Sequence, residues 1–371
     1  MILGIDASNI RAGGGLTHLR ELLSVARPSA HGIDRVHVWA GTDTLSALPK
    51  HPWLVANRDP LLDGSLAGRL AWQRFKSGRV MREAQCAIAF VPGGAYLGKF
   101  RPFVAMSQNL LPFQLAESRR FARRSARLRY AVLRRLHSAT FREAAGVIFL
   151  TEAARVAVQS VTGPLRGRTI VISHGIAPRF FSPPRNRAAI SPFRWLYVST
   201  IAPYKHQVSV VKAVSGLRAA GFDLSLDLVG AAYGDELARL RQQIKSADPS
   251  GAYILYHGPE DYEHLAARYR HADGFVFAST CESMPCILVE SMASGLPIAC
   301  SDRSVMREVL GSGGVYFDAE DPPDIARAMA RLMQDSSERM ACAAEAFARA
   351  REFSWERCAE ETLAFLTSVP R

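Results

Sequence analysis

Apolar residues along this chain follow two alternating rhythms. Short apolar runs end in Gly or Pro, and between them Leu, Val and Ala return every three or four positions. The first rhythm predicts buried strands and the second amphipathic helices. ILGID at the start reads as a strand, Gly13, Gly14 and Gly15 as a turn, and Leu16, Leu19, Leu22 and Leu23 as one helical face. VHVWAG (36–41), CAIAFVPGG (86–94), FVAMSQNLLPF (103–113), GVIFLT (146–151) and TIVISHG (169–175) read as further strands. FFSPPRNRAAISPF (180–193) then breaks the pattern with Pro, Ser and Arg, as a linker does. The rhythm restarts with strands at RWLYVST (194–200), LSLDLVG (224–230), YILYHG (253–258), GFVFAST (274–280), LPIACS (296–301) and GVYF (314–317). Helices are predicted over HQVSVVKAVSGLRAAG, EHLAARYRHA, PDIARAMARLMQ and the tail SWERCAEETLAFL.

Strand alternating with helix implies an α/β fold with parallel sheets covered on both faces. The expected division is an N-terminal Rossmann-like domain over 1–181, a linker over 182–193, a second such domain over 194–352, and a C-terminal helix over 353–371 that packs back toward the first domain. Doubly wound sheets bind ligands beyond the carboxyl ends of their strands, so a cleft between two such domains is the place to look for chemistry.

Composition adds limits. With 371 residues and 48% hydrophobic, the chain can bury two cores and is not a disordered segment. MILGIDASNI lacks a basic start, and no run approaches the ~18 apolar residues of a membrane span, so a cytoplasmic protein is expected. The six cysteines show no metal-type spacing and read as reduced thiols. The net charge of +12 is concentrated: nine arginines and no acid lie between Arg119 and Arg142. Apolar residues at 121, 128, 132 and 136 make this an amphipathic helix, or two, with a basic face. Such a patch implies an anionic partner. No nucleic-acid-binding module is recognisable, so nucleic acid is not the expected partner.

CESMPCILVESMASGLP (281–297) carries the sharpest chemistry. It places Glu282 after a strand and Glu290 within an otherwise apolar helix expected near 285–294, started by Pro285 and stopped by Gly295. N–H groups near 283–286 would face the cleft as an anion or hydroxyl site. At ~1.5 Å per residue Glu290 stands over a turn further along. A ligand with hydroxyls at both ends and phosphates between them would match that layout.

Two glutamates eight apart are a weak motif alone. Their context is specific. The pair followed by SMASGLPIACSD resembles the signature of the retaining glycosyltransferases of family 4, which have the two-domain GT-B fold. STIAPYKHQVSVVKAV, YHGPEDYEHLAARYRHADGFVFASTCE, REVLGSGGVYFDAEDPPDIARAM and the tail helix resemble the flanking family segments in order. The resemblance implies a nucleotide-diphosphate sugar as donor substrate, with no metal or other cofactor. It implies that Glu290 holds the ribose hydroxyls and that Glu282 contacts the donor sugar. Backbone N–H groups of Ser283, Met284 and Cys286 would help, and Lys205 would neutralise the diphosphate.

The chain departs from the family at several places. It reads ESMPCILVE where members more often read EGFGLPLLE, and it has Thr200 where an arginine is common. Gln108 and Asn109 stand where relatives carry a histidine–aspartate pair, so no general base is assigned to them; both remain candidate sugar contacts, as does His174. Gly13, Gly14 and Gly15 suit a loop that approaches phosphate or acceptor closely. They are followed by neither a Lys-Ser/Thr pair nor an acid after the second strand, which excludes a P-loop and disfavours a dinucleotide site.

The resulting expectation is a hexosyl-type glycosyltransferase acting on a lipid-linked or glycan acceptor in surface polysaccharide assembly. It would lie at the inner face of the plasma membrane, held there by its arginine segment on anionic lipid. A sugar-nucleotide epimerase on the same architecture is the rival enzyme, and a basic binding protein the rival outside catalysis.

Overall fold

The computed structural model describes residues 1–185, 191–232 and 234–370. Residues 186–190 of the expected linker lie outside the described residues, and Phe193, its expected last residue, already begins a strand. The chain forms two compact units. One comprises Met1–Ser118, Ala122–Gly175 and Ser354–Arg371; the other comprises Arg119–Phe121 and Ile176–Phe353.

The first unit holds seven strands: β1 (Ile2–Asp6), β2 (Arg35–Trp39), β3 (Leu54–Asn57), β4 (Cys86–Val91), β5 (Phe103–Ser107), β6 (Gly146–Phe149) and β7 (Arg168–Val171). All pair in parallel, in the order β3-β2-β1-β4-β5-β6-β7. The second unit holds β8 (Phe193–Val198), β9 (Leu224–Val229), β10 (Ile254–Gly258), β11 (Gly274–Phe277), β12 (Ile298–Ser301) and β13 (Val315–Phe317). Its parallel order is β10-β9-β8-β11-β12-β13. Both sheets are doubly wound and Rossmann-like, the GT-B architecture expected from the sequence. In each, the strand order reverses beside the first strand, between β1 and β4 and between β8 and β11, and such a reversal opens a crevice at the carboxyl ends.

The strands are apolar because helices cover both faces. Every residue of β11 and β12 is buried, and Trp195, Tyr197, Phe275 and Phe277 fill the centre of the second unit. The two edge strands of the first sheet, β3 and β7, are the exceptions, four residues each with none fully buried, and β3 (LVAN) is the one the sequence reading missed.

The helix Trp355–Ser368 belongs to the first unit. Ser354 caps it by accepting the N–H of Arg357 at 3.1 Å. At its far end Arg168 donates to the Ser368 carbonyl at 3.0 Å. Its buried residues include Trp355, Cys358, Leu363, Phe365 and Leu366.

Candidate functional site

The loops after β8 and β11 bring Lys205 and Glu282 together at the reversal point of the second sheet. Lys205 ends a short 3-10 turn, Pro203–Lys205, and its carbonyl accepts the Tyr197 hydroxyl at 2.5 Å. His206 follows in a left-handed conformation (φ 51°) and leads into the helix Gln207–Ala219. Thr280 ties the two loops together, because its N–H donates to the Tyr204 carbonyl at 2.9 Å. The Lys205 ammonium is thereby held over the rings of Tyr204 and Phe277, 5.2 and 5.4 Å from their centroids. It forms an ion pair with Oε1 of Glu282, which also accepts the Ser279 hydroxyl at 2.6 Å. Both side chains are largely withdrawn from water, at 6% and 16% exposure.

A pair so placed is costly in desolvation and depends on the mutual attraction of its members. It also sets one cation and one carboxylate side by side beyond the carboxyl ends of β8 and β11. Thr200 lies half-buried on the same loop, and its carbonyl accepts Nε2 of Gln207 at 2.9 Å. Ser283 and Met284 are buried, and Cys286 is half-buried.

The helix Cys286–Ala293 starts one residue later than expected, with Pro285 at its N-cap. The Cys286 N–H donates to the Met284 carbonyl at 3.0 Å. Among the three N–H groups expected to face a ligand, that one is therefore already turned inward.

Glu290 sits on the second turn of this helix and is only 4% exposed. Its Oε2 accepts the hydroxyl of buried Tyr269 at 2.9 Å, and Tyr262 is a second hydroxyl partner. Both tyrosines lie on the helix Tyr262–His271, seven residues apart and so on one face. Burial pushes the Glu290 carboxyl up to about 7 from its ordinary 4.5, while the tyrosine hydroxyls and the Arg179 charge oppose the rise. Burial, then the Glu290 charge, raises Tyr269 well above its ordinary value. The sequence reading isolated Glu290 but not its tyrosine partners. Their i, i+7 spacing was the available signal.

In the first unit the glycines after β1 open the helix Gly13–Val25. Gly13 has φ +66°, a conformation that costs an L side chain strain, and neither it nor Gly14 has a neighbour within 4 Å of an added Cβ. A Cβ on Gly15 would lie 3.2 Å from Ile10 and 3.7 Å from Oε1 of Gln108. Gln108 donates through Nε2 to the Pro92 carbonyl at 3.2 Å and stands 3.5 Å from Nδ1 of His18. Asn109 turns its side chain back on its own loop, accepting the Leu111 N–H at 3.1 Å.

His174 is buried rather than lining an open surface. It stacks on His18 with centroids 4.5 Å apart and on Trp355 at 5.6 Å. Burial lowers His18 to about 4 and His174 well below its ordinary range, so both rings are neutral near pH 7. His18 and Trp355 were not foreseen. His18 falls four residues before Leu22 on the buried face of its helix, and a polar residue on such a face was the available signal.

The arginine segment divides. Arg120 belongs to the second unit and forms a two-pronged ion pair with Glu320, one arm at 3.0 Å. Arg124–Glu143 is a single 20-residue helix of the first unit. Its buried residues lie in its last two turns, while Leu128 and Val132 are 67% and 46% exposed. Two of the four expected apolar positions thus face solvent, flanked on the same face by Arg124 and Arg135, while Leu136 and Phe121, the latter before the helix, are half-buried.

A cavity of about 690 Å³ also lies in the second unit, lined by Arg120, Pro203, His206, Glu236, Arg239 and Gln243 among others. None of Lys205, Glu282 and Glu290 lines it. Among the described residues no group of three or more His, Cys, Asp or Glu is placed to hold a metal ion, and no helix is long and apolar enough to cross a membrane.

Residues 179–349 match the family described as glycosyl transferases group 1. The O-antigen chain mannosyltransferase B of Escherichia coli is 30% identical over 169 residues, which are 45% of this chain and 44% of that protein. The chain spans less than half the length of these curated relatives, 44% of the mannosyltransferase and 36% of a D-inositol 3-phosphate glycosyltransferase from Salinispora tropica. Among solved structures, sucrose-phosphate synthase from Thermosynechococcus elongatus superposes with a TM-score of 0.79 at 19% identity, over 98% of this chain and 97% of that one. Anabaena HepE, solved in complex with UDP and glucose, superposes with a TM-score of 0.74 at 19% identity, over 99% of this chain and 100% of that one. Identities this low establish shared fold alone.

Proposed function

We propose that the chain is a nucleotide-sugar-dependent glycosyltransferase with its donor site in the second unit, a reading supported by the match of residues 179–349 to the glycosyl transferases group 1 family. The observation that carries this reading is the Lys205–Glu282 ion pair at the reversal point of the second sheet, beside the start of the helix Cys286–Ala293. A donor diphosphate supplies the anion that Lys205 now finds in Glu282. Once Lys205 turns to phosphate, Glu282 is released to accept hydroxyls of the donor sugar. The backbone of Ser283 and Met284 and the helix N-terminus assist. Glu290 serves the ribose diol through the lone pairs its tyrosines leave open, since a carboxylate offers about four acceptor sites.

Transfer breaks the bond between the sugar's C1 and the phosphate oxygen. The acceptor oxygen bonds to C1 on the same face, with retention of configuration. The acceptor proton passes to the leaving phosphate oxygen, so no protein base is needed. Lys205 and the helix N-terminus stabilise the charge that develops on phosphate. No metal is invoked.

The acceptor is proposed to be a glycan, lipid-linked, in surface polysaccharide assembly. The helix Arg124–Glu143 would hold the protein at the inner face of the plasma membrane, with exposed Arg124, Leu128, Val132 and Arg135 meeting anionic lipid.

The test is incubation in EDTA with a panel of nucleotide sugars and glycan acceptors, reading nucleoside diphosphate release and the anomeric configuration of the product. Acceptor-dependent release with retention is expected. Conversion of donor alone to an isomer, with no diphosphate released, would replace this reading with an epimerase. Activity that returns only with magnesium or manganese would overturn the assignment of the leaving-group charge to Lys205.

A further inference from the structure

A second segment of the first unit joins positive charge to exposed apolar surface, and it is far in sequence from the arginine helix. Residues 66–83 form one continuous helical run whose middle, Trp72–Lys76, is a π-turn. The wider turn shifts the helix face. Before it, Leu66 is 58% exposed. Within it, Trp72 and Gln73 are buried while Arg74 and Phe75 project into water.

Gln73 fixes this orientation. Its Nε2 donates to Asp6 at 3.2 Å, to the Ser8 hydroxyl at 3.0 Å and to the Ala95 carbonyl at 3.3 Å. With Gln73 and Trp72 held inside, Phe75 is held outside. At 78% exposure it is the most exposed large apolar side chain among the described residues.

The run itself is basic, and two acids that flank it, Asp59 and Glu83, are paired with its cations. Between Leu66 and Arg82 the sequence holds Arg69, Arg74, Lys76, Arg79 and Arg82 and no acid. Lys76 pairs with Asp59 at 3.1 Å and Arg79 with Glu83 at 3.4 Å. Arg74 and Arg82 are exposed, and Arg74 lies 5.8 Å from the Phe75 ring. An aromatic side chain presented to water at high cost, with Arg74 beside it and further cations along the same run, complements a surface that is apolar beneath and anionic above.

We propose that the π-turn Trp72–Lys76 is a lipid anchor: Phe75, with Leu66, inserts below the headgroups of an anionic bilayer while Arg74, Arg79 and Arg82 meet the phosphates. The anchor extends the membrane-contact part of the proposed function, and nucleotide binding, measured separately, does not depend on it. Insertion supplies apolar area, and the cations supply attraction worth about fivefold in binding each near the surface.

Co-sedimentation of the full chain with vesicles of equal parts phosphatidylcholine and phosphatidylglycerol, and with phosphatidylcholine alone, tests this. Wild type should bind the anionic vesicles and not the neutral ones. Phe75→Ser should lower the partition coefficient about tenfold, the scale of one buried aromatic side chain. It should leave the melting temperature and UDP or GDP binding as in wild type. Phe75→Trp should keep binding and gain quenching by brominated lipid relative to wild type. Sedimentation of Phe75→Ser like wild type would overturn the anchor and leave membrane contact to the arginine helix. Equal binding of wild type to neutral vesicles would overturn it too. A concentration-dependent dimer that Phe75→Ser dissolves would assign the patch to a second copy of the chain.

Discussion

At the scale of single residues, Lys205 and Glu282 are each other's principal electrostatic partner, and the consequence is non-additive energetics. Lys205→Met leaves a largely buried carboxylate with only hydroxyl support, and should cost about 3 kcal/mol in urea unfolding. The double variant Lys205→Met/Glu282→Gln removes both charges and should recover to within about 1 kcal/mol of wild type. Losses that simply add would show that the pair is not coupled. Glu290 makes a second prediction, read through pH. Its folded carboxyl keeps its proton up to about 7, whereas an unfolded one releases it near 4.5. The unfolded chain therefore binds fewer protons in that window, and stability falls as pH rises from about 4.5 to 7 before levelling off. Glu290→Gln should abolish this fall. Its melting temperature should exceed that of wild type at pH 8 and approach it at pH 5. The same ionisation should strengthen nucleotide binding between pH 6 and 8 in wild type, because a ribose hydroxyl donates to the charged form. A flat binding profile in wild type would confine Glu290 to a structural role. The glutamates and the lysine were legible as residue types in a pattern. That Lys205 meets Glu282, and that Glu290 meets two tyrosines, was not legible, since those partners come from other loops and another helix.

At the scale of elements, legibility followed the strength of the apolar pattern. All six strands of the second sheet were readable because their apolar runs are bounded by Gly or Pro. Edge strand β3 was not, since LVAN stops at a polar Asn, whereas β7, as little buried, runs on into buried Ile172. The helices Glu236–Ala247 and Ser336–Ala350 also escaped the reading. One buries only Leu240, and the other buries only alanines, so neither shows a strong apolar stripe. The arginine helix was legible as a helix, but its apolar positions were assigned to an amphipathic face without an environment, and Leu128 and Val132 turn out to face water. That exposure refines which cations should matter. Arg120 is committed to Glu320, whereas Arg124 and Arg135 share a helix face with the exposed apolar pair. Changing Arg124, Arg129, Arg134 and Arg135 to glutamine should lower co-sedimentation with anionic vesicles at low salt. The difference from wild type should vanish near 1 M salt, where the Debye length drops to about 3 Å. Unchanged sedimentation at low salt would remove this helix from the membrane-contact account.

At the scale of the whole molecule, two parallel sheets in a chain of 371 residues were recoverable from the rhythm of the sequence, whereas the order of strands that the two share over their first six came only from the structure. The restart of that rhythm at residue 194 falls one residue inside the first strand of the second sheet, which begins at Phe193. Where the chemistry concentrates follows from topology: the loops after β8 and β11 flank the strand-order reversal of the second sheet, and there the charges meet. The central claim is that this point binds a nucleotide diphosphate through Lys205. Calorimetric titration with UDP and GDP, on wild type and on Lys205→Ala, tests it most directly. The account predicts that one of the two nucleotides binds wild type and that its affinity falls at least tenfold in a folded Lys205→Ala protein. Binding of neither nucleotide, or equal binding to both proteins, would contradict it.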